Sequence, residues 1–356
     1  MLKEAFYDPT KSYEQNYDEG PFGEFSDPQE YDDPLSPPRN EFLGHKVNLP
    51  LGIPAGPLLN SKFVRGAFEN GFDIAVYKTV RAGTFPSHPF PNVLGIELEG
   101  DLTMEKAKEP IIARATYKEP LSITNSFGVP SKTPDIWQED VEKAVSFAGA
   151  GQVLVLSFMG TVKADQTPNE FIEDFALTAR LANETSAPIL EANLSCPNIG
   201  NEGLVCYNLD TTRQVAEAIR REIGDKPLAL KVGYYNDDRD LERFAQIANE
   251  YADSISSINT IPATIIDRDG NQALPGPNRA KSGVCGSAIK WAGLDQVRRL
   301  RKIRDENGYK FAIEGVGGVT TPDDYFEYIK AGADSVMSAT GAMWNPSLAK
   351  EIKSRI

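Results

Sequence analysis

The feature of this sequence that most restricts its fold is a regular alternation of apolar runs with amphipathic stretches. Apolar runs typical of buried strands occur at 152–158, 188–193, 227–232, 254–259, 310–315 and 334–339. Stretches with helical periodicity occur at 135–148, 168–184, 210–223, 238–251, 290–306, 322–331 and 346–355. This alternation predicts a series of parallel βα units.

Two further strands are predicted before this series, at 49–56 and 73–78, with a helical stretch at 61–68 between them. A candidate strand at 121–125 brings the count to one more than a closed eight-stranded barrel needs. We exclude it from the barrel because no helix separates it from the strand that ends at Lys78. The predicted fold is therefore α/β, a (β/α)8 TIM barrel with loop insertions, and a doubly wound open sheet is the alternative.

Two segments fall outside the βα pattern. Residues 1–45 contain eleven acids against three bases, are rich in Pro and Tyr, and show no apolar periodicity. We expect them to form an acidic arm that is extended on the surface or partly disordered, with the barrel over 46–356. Residues 79–120 are rich in Gly, Pro and charge, and we expect this excursion to form a lid or wall over a site.

Composition excludes several classes of function. A net charge of −14 argues against a broad nucleic-acid interface. No apolar run is long enough for a membrane span, and the first residues lack the apolar core of a signal peptide. The three cysteines lack CxxC spacing and are odd in number, which predicts no metal site and a cytoplasmic location.

A polar motif follows the run at 188–193. It places Asn193 and Asn198 on either side of Cys196, just past the predicted strand, where α/β barrels carry their chemistry. Asparagine amides both donate and accept, so the pair could hold a planar ligand with N–H and C=O groups. A lone cysteine is more often buried and inert, but the flanking asparagines favour a role for Cys196 in proton transfer.

Other predicted strands also end in polar residues. Lys78, Lys231 and Asn259 close apolar runs, and a lysine in such a run is costly unless its charge meets a partner. A strand-end lysine can also simply reach water past the rim. Because the ends of parallel strands meet at one face of a barrel, we expect these side chains to converge there.

Turns built from small residues indicate a phosphate site. They contain Gly283 and Gly286, Gly317 and Gly318, and Ala339 and Thr340. Thr321 is predicted as a helix N-cap with Pro322 at the first helical position. Glycine lets backbone N–H groups approach a phosphate, and barrels often bind one after the seventh and eighth strands. Each turn alone also fits an ordinary backbone requirement for glycine.

The sequence Asn193-Leu194-Ser195-Cys196-Pro197-Asn198 resembles the signature of the dihydroorotate dehydrogenases, in the class whose base is cysteine. The resemblance covers roughly residues 46–356. It implies FMN-dependent oxidation of dihydroorotate to orotate in pyrimidine biosynthesis. In that reaction Cys196 removes a C5 proton while the C6 hydride moves to flavin N5. It also implies that Lys231 lies at the N1/O2 edge of the flavin and Lys78 between flavin and substrate.

The resemblance assigns further roles. The substrate-binding residues it implies are Lys78, Asn125, Gly128, Val129, Asn193, Asn198, Asn259 and Thr260. The FMN-binding residues it implies are Ala55, Gly56, Lys78, Thr79, Asn125, Asn193, Lys231, Gly283, Gly286, Gly317, Gly318, Ala339 and Thr340. The chain departs from the family at Ser282 and Cys285, where many relatives have glycine, and at Pro262-Ala263.

The electron acceptor stays open at this point. In the cysteine-type family one branch reduces fumarate as a homodimer, and another uses NAD through a partner subunit that carries FAD and an iron–sulfur cluster. The apolar helical pair of the quinone-linked relatives is not found in this sequence. The alternatives are another flavin-dependent dihydropyrimidine-type oxidoreductase, a Schiff-base aldolase using Lys231 or Lys78, and a flavin-free binding protein.

Overall fold

The structure, a computed structural model, describes residues 2–28, 31–195 and 204–356. The strands in these ranges, β1 to β15 in chain order, are Asn40–Phe42, His45–Val47, Leu51–Ile53, Ile74–Val80, Val93–Glu97, Ile111–Arg114, Ser122–Asn125, Val153–Phe158, Ile189–Asn193, Leu228–Val232, Ser254–Ser257, Ile261–Ile266, Lys281–Gly286, Ala312–Val316 and Ser335–Met337. The α-helices, α1 to α10, are Tyr13–Glu19, Ser61–Glu69, Pro134–Ser146, Pro168–Asn183, Leu209–Ile223, Asp238–Tyr251, Lys290–Asn307, Pro322–Ala331, Thr340–Trp344 and Leu348–Lys353.

Eight parallel strands close into a barrel in the order β3, β4, β8, β9, β10, β11, β14, β15 and back to β3. Each barrel strand pairs with its neighbour in the chain order, so the carboxyl ends of all eight lie at one rim. The predicted (β/α)8 barrel is confirmed, and the closed order excludes the open sheet. Among the described helices, none is long and apolar enough to cross a membrane.

A second, smaller closed sheet is formed by β5, β6, β7, β12 and β13. Its strand pairs are antiparallel except β12 with β6. The candidate strand at 121–125 belongs here as β7, as its exclusion from the main barrel required. Residues 79–120 supply β5 and β6. The segment 282–287, predicted as a glycine-rich turn, is instead mostly strand β13, because it pairs with β7 and β12.

The interior of the main barrel changes character along its length. Its lower part is apolar and includes the buried side chains of Ile74, Val153 and Ile189. Towards the rim the inward positions become polar, with Asn193 and Lys231 directly paired in register. Since barrel interiors are usually filled by branched apolar side chains, the polar upper tiers point to function.

The N-terminal segment is more deeply packed than its composition suggests. Helix α1 begins with a capping box in which Ser12 and Gln15 satisfy each other's backbone N–H groups. The rings of Phe6, Tyr7 and Phe25 are fully or almost fully buried and belong to the main hydrophobic core. Phe6 N–H also donates to the carbonyl of Met343 at 3.0 Å. The aromatic residues of this acidic segment therefore pack against the barrel.

A buried ion cluster fixes the opposite end of the barrel. The ammonium of Lys353 in α10 is fully buried and contacts Asp33 at 2.5 Å and Asp73 at 2.7 Å. Asp73 precedes β4 and also accepts from the N–H of Leu49 at 2.8 Å. The cluster therefore joins the N-terminal segment, the barrel and the last helix, far from the rim.

Candidate functional site

A cavity with an empty volume of about 770 Å³ opens at the carboxyl rim of the barrel, beneath the smaller sheet. The predicted site residues that line it are Ala55, Gly56, Asn125, Lys231, Asn259, Thr260, Gly286, Gly317, Gly318, Ala339 and Thr340. Residues that the sequence placed on several different strands and loops therefore share one cavity.

Lys231 is the cation at the base of this cavity. It sits near the end of β10, is 3% exposed, and its Nζ donates to the carbonyl of Ala55 at 3.4 Å. No carboxylate forms an ion pair with it within the described residues. An ammonium held this way favours negative charge in the space next to it.

The amide groups of two predicted asparagines are held by a hydrogen-bond network. Asn193 Nδ2 donates to Thr79 Oγ1 at 3.4 Å, and Asn193 Oδ1 accepts from the N–H of Ser195 at 3.2 Å. Asn259 Nδ2 donates to the Ser195 carbonyl at 2.6 Å and to its hydroxyl at 2.9 Å. Ser195 thus connects the two asparagines directly before Cys196. Cys196 and Asn198 themselves lie outside the described residues.

Lys78 lies beside this cavity rather than in its lining. It is buried in β4, and its Nζ lies 5.2 Å from the centroid of the Phe127 ring. Phe127 lines the rim cavity, whereas Lys78 lines a second cavity of about 640 Å³ next to Tyr13 and Tyr17 of α1. The Phe127 ring is therefore shared: it contacts the ammonium of Lys78 and also lines the rim cavity.

The loop after β7 carries Gly128 and Val129, both in the left-handed region with φ of 80° and 51°. For a β-branched residue such as Val129 this backbone conformation is unfavourable and needs support. Arg81 supplies it: Nε donates to the Val129 carbonyl at 2.9 Å and Nη2 to the Gly128 carbonyl at 3.3 Å. Sequence analysis missed Arg81, although a basic residue directly after the apolar run of β4 was the available signal.

A second arginine missed by sequence analysis holds the start of the same loop. Arg279 is fully buried, and its guanidinium donates to the carbonyls of Ser126 at 3.0 Å and Pro89 at 2.7 Å. It also donates to the carbonyl of Pro91 at 3.0 Å. Its loop position gave no periodic pattern from which burial could be inferred. Arg279 fixes the backbone that follows Asn125.

Cys285, a departure from the family pattern, has a defined place in the cavity. Its Sγ accepts from Asn125 Nδ2 at 3.3 Å and from Thr340 Oγ1 at 3.4 Å. Burial raises the pKa of Cys285, so the group stays a thiol at neutral pH. Its side chain accepts hydrogen bonds from two predicted site residues, Asn125 and Thr340, whereas a glycine at this position would offer them no acceptor.

The glycine pair after β14 forms part of the cavity wall. Gly317 and Gly318 have φ of 123° and 71°. A Cβ on Gly318 would lie 2.6 Å from the Lys290 Cβ, so only glycine fits there. Thr321 caps α8 with Pro322 at its start, as predicted. Ala339 and Thr340, predicted as a turn, instead begin the short helix α9.

Gly283 lies outside the lining of the rim cavity, in β13 beside Thr260. A Cβ at this position would lie 2.2 Å from Thr260 Oγ1, so the glycine gives that side chain its space. Thr260 Oγ1 is itself buried and has no hydrogen-bond partner within the described residues. A polar atom of this kind, facing a cavity, is available to a ligand.

Comparison with known proteins gives a consistent result. The family model described as Dihydroorotate dehydrogenase matches residues 105–356. The chain is 36% identical to the dihydroorotate dehydrogenase of Dictyostelium discoideum over 98% of this chain and 96% of that protein. It is 26% identical to the dihydroorotate dehydrogenase (fumarate) of Saccharomyces bayanus over 79% of this chain and 86% of that protein.

Two further comparisons extend the picture. The catalytic subunit of the dihydroorotate dehydrogenase B (NAD(+)) of Maridesulfovibrio salexigens is 32% identical over 51% of this chain and 57% of that protein. The crystal structure of DHODH in complex with ferulenol from Eimeria tenella matches the fold with a TM-score of 0.67 and 18% identity. That match covers 91% of this chain and 85% of the other chain. The family model and the full-length relative show that the chain belongs to the dihydroorotate dehydrogenase family.

Proposed function

We propose that this protein oxidises dihydroorotate to orotate, using FMN and Cys196 as the base, in pyrimidine biosynthesis. The observation that carries the proposal is the rim cavity itself, where Lys231 and Asn259 meet the glycine pair Gly317 and Gly318. Membership in the dihydroorotate dehydrogenase family supports the reaction. The same membership removes the reason to retain an aldolase.

The residues around the cavity fit a flavin. Apolar side chains such as Val93, Ile123 and Val316 offer walls for a planar ring. The wall at Gly318 has no room for a Cβ, which suits close approach of a phosphate to the backbone. The ammonium of Lys231, which lines the same cavity, would be the partner for a negative charge on the ring system. When bound, FMN would supply the hydride acceptor.

The chain's own residues would then do three things. Lys231 would favour negative charge in the cavity because its ammonium is buried and free of carboxylate contacts in the described part of the chain. Asn193 and Asn259 would orient the pyrimidine, since their amides are held by Thr79 and Ser195. Cys196 would remove the C5 proton of dihydroorotate and return it to solvent.

Lys78 and the loop at Gly128 and Val129 would complete the substrate site in this proposal. The loop is held by Arg81, and Lys78 is held over Phe127. A second, buried ammonium would help to offset the carboxylate of the substrate in a protein whose net charge is −14.

The electron acceptor in this proposal is fumarate or, through a partner subunit carrying FAD and an iron–sulfur cluster, NAD. Relatives named for each acceptor are similar to this chain, and the one named for fumarate is matched over more of its length. A homodimer and a cytoplasmic location belong to the same proposal. The two described cysteines, Cys206 and Cys285, are free thiols, which supports a reducing compartment.

The test is product formation with defined acceptors. The purified protein is loaded with FMN and given dihydroorotate with fumarate, NAD, a quinone or an artificial dye, and orotate is measured. We expect orotate with the dye and with fumarate. Orotate with a quinone alone would contradict the acceptor assignment, and no orotate with any acceptor would contradict the function.

A further inference from the structure

Two acidic side chains lie inside the barrel beneath the rim cavity and have no part in the reaction described above. Glu191 in β9 is fully buried and Glu314 in β14 is 1% exposed. Both occur within apolar strands, where an ionised carboxylate is costly without a partner. A buried acid in this position requires either a counter-charge or a proton.

The strand register shows what these acids face. Lys231 pairs with Asn193 on β9 and with Ser256 on β11, and Ser256 pairs with Glu314 on β14. Residues paired in register point to the same side of a sheet, so Lys231 and Glu314 both face the barrel interior. Glu191 lies two residues before Asn193 and shares its face.

The hydrogen bonds of the two acids are unequal. Glu314 Oε1 accepts from the hydroxyl of Ser254 at 2.5 Å. Neither carboxylate oxygen of Glu191 has a hydrogen-bond partner within the described residues. Neither acid forms an ion pair there, and the two carboxyl groups share the buried interior of the barrel with the ammonium of Lys231.

This arrangement favours retention of a proton. Burial, followed by the charge of Glu191, raises the pKa of Glu314 to about 7, against smaller opposing effects of Ser254 and Lys231. Two acids that share a low-dielectric site titrate as a pair rather than as independent groups. Near neutral pH Glu314 therefore lies between its protonated and its ionised form.

We propose that Glu191 and Glu314 are a proton-holding pair in which Glu314 takes up a proton from solvent when negative charge appears next to Lys231. The proposal rests on the proposed function, because that charge is the one a flavin gains on reduction. A hydride brings two electrons and one proton to the flavin and leaves it with one negative charge. The carboxylate of Glu314 then becomes a carboxylic acid, and the charge of the site is unchanged.

Other titratable groups facing the pair are few. On β8, β11 and β15 the inward polar residues in the described part of the chain are serines, namely Ser157, Ser254, Ser256 and Ser335. Lys78 lies near the carboxyl end of β4, close to the rim. Asp73 and Lys353 lie at the opposite end of the barrel. Cys196, which follows β9, lies outside the described residues and needs its own variant as a control.

The test is the midpoint potential of the bound flavin as a function of pH, measured electrochemically without dihydroorotate. For a two-electron reduction that takes up one proton, the midpoint potential changes by about 30 mV per pH unit. For one that takes up two protons, it changes by about 59 mV per pH unit. Around neutral pH we expect the steeper slope in the wild type. Glu314→Gln, which mimics the protonated acid, should show the shallower slope.

Further variants show whether the proton uptake depends on these two acids in particular. Glu191→Gln should move the steep region to lower pH, because it removes the charge that opposes ionisation of Glu314. Glu173→Gln on the exposed surface of α4 and Cys196→Ala should both keep the wild-type slope. Equal slopes in the wild type and Glu314→Gln would overturn the proposal.

An infrared difference spectrum of the wild type, reduced minus oxidised, gives a second readout that needs no variant. We expect a gain of one carboxylic acid carbonyl band that shifts in D2O, and its absence would also overturn the proposal. Both experiments use chemical or electrochemical reduction. If dihydroorotate fails to reduce the flavin but the steep slope and the new band are present, the proposed function fails and the proton-holding pair stands.

Discussion

Asn125 donates its side-chain amide to the thiol of Cys285 across 3.3 Å, and Thr340 donates to the same sulfur. Through this contact a cysteine that departs from the family pattern becomes a support for two predicted site residues. The amide of Asn125 is thereby oriented before any ligand binds, and orientation of this kind determines how well a site is organised.

Replacing Cys285 by glycine should therefore loosen the site. We expect Cys285→Gly to raise the KM for dihydroorotate several-fold and to lower stability by about 1 kcal/mol, because a glycine in β13 adds backbone freedom. Cys285→Ser retains an acceptor for Asn125 and should stay close to the wild type. Steady-state kinetics and thermal unfolding check this, and a glycine variant with unchanged KM would contradict it.

Lys231 is predicted to favour the reduced flavin through its buried charge. Lys231→Met should slow reduction by dihydroorotate by on the order of 100-fold, the usual cost of losing one such group. Lys310→Met removes an exposed lysine as a control and should have no effect. Stopped-flow measurement of flavin reduction compares the two. A Lys231→Met protein that is reduced at the wild-type rate would disprove this role.

Tyr7 connects the N-terminal segment to the site. Its ring lies 5.3 Å from that of Phe127, which in turn lies beneath the ammonium of Lys78. We expect Tyr7→Ala to cost about 3 kcal/mol of stability, as large core truncations do, and to weaken substrate binding. Tyr7→Phe should resemble the wild type, since the Tyr7 hydroxyl has no hydrogen-bond partner in the described part of the chain.

Equilibrium unfolding and substrate titration of both Tyr7 variants measure these effects. A stable Tyr7→Ala protein with normal substrate affinity would mean that the segment contributes nothing to the site. Residues 1–45 would then be energetically independent of the barrel over 46–356, as well as separate from it in composition.

The raised pKa values of two buried acids, Glu314 and Asp73, predict how the stability of the protein depends on pH. Burial raises the pKa of Glu314 to about 7 and, despite the Lys353 ammonium, also raises the pKa of Asp73. Between about pH 4.5 and 7 the folded protein holds more protons than the unfolded chain. The free energy of unfolding of the flavin-free protein should therefore fall as pH rises through this window, by on the order of 3 kcal/mol for Glu314 and in the same direction for Asp73.

Glu314→Gln and Asp73→Asn should each remove the contribution of the replaced carboxyl group to this pH dependence. Urea unfolding at several pH values measures it in the wild type and both variants. A free energy of unfolding that increases between pH 4.5 and 7, or that is equally pH-dependent in all three proteins, would contradict the assignment.

The main barrel was predictable because its strands are buried on both faces and are separated by helices. The smaller sheet was not, because β5, β6 and β7 are short and follow one another without helices. The candidate strand at 121–125 could be excluded from the barrel, but the strand with which it pairs could not be predicted. Its partner β13 lies far along the chain, and only the folded structure brings the two together.

Only part of the site could be predicted, because only some of its residues occupy positions that the strand pattern marks. Strand-end residues such as Lys231 and Asn259 could be found because their positions follow from the strand boundaries. Arg81 and Arg279 hold loops through backbone carbonyls, and no sequence pattern marks such contacts. Glu191 and Glu314 could have been noticed, since each is the one acid inside an apolar run.

The most direct test of the whole account is the visible spectrum of the flavin-loaded protein, taken under anaerobic conditions before and after dihydroorotate is added. We predict that dihydroorotate bleaches the oxidised-flavin band and that orotate appears in equal amount, whereas Cys196→Ala binds flavin but bleaches far more slowly. A yellow protein that dihydroorotate leaves unbleached would contradict the proposed substrate. A Cys196→Ala protein that bleaches at the wild-type rate would contradict the proposed base.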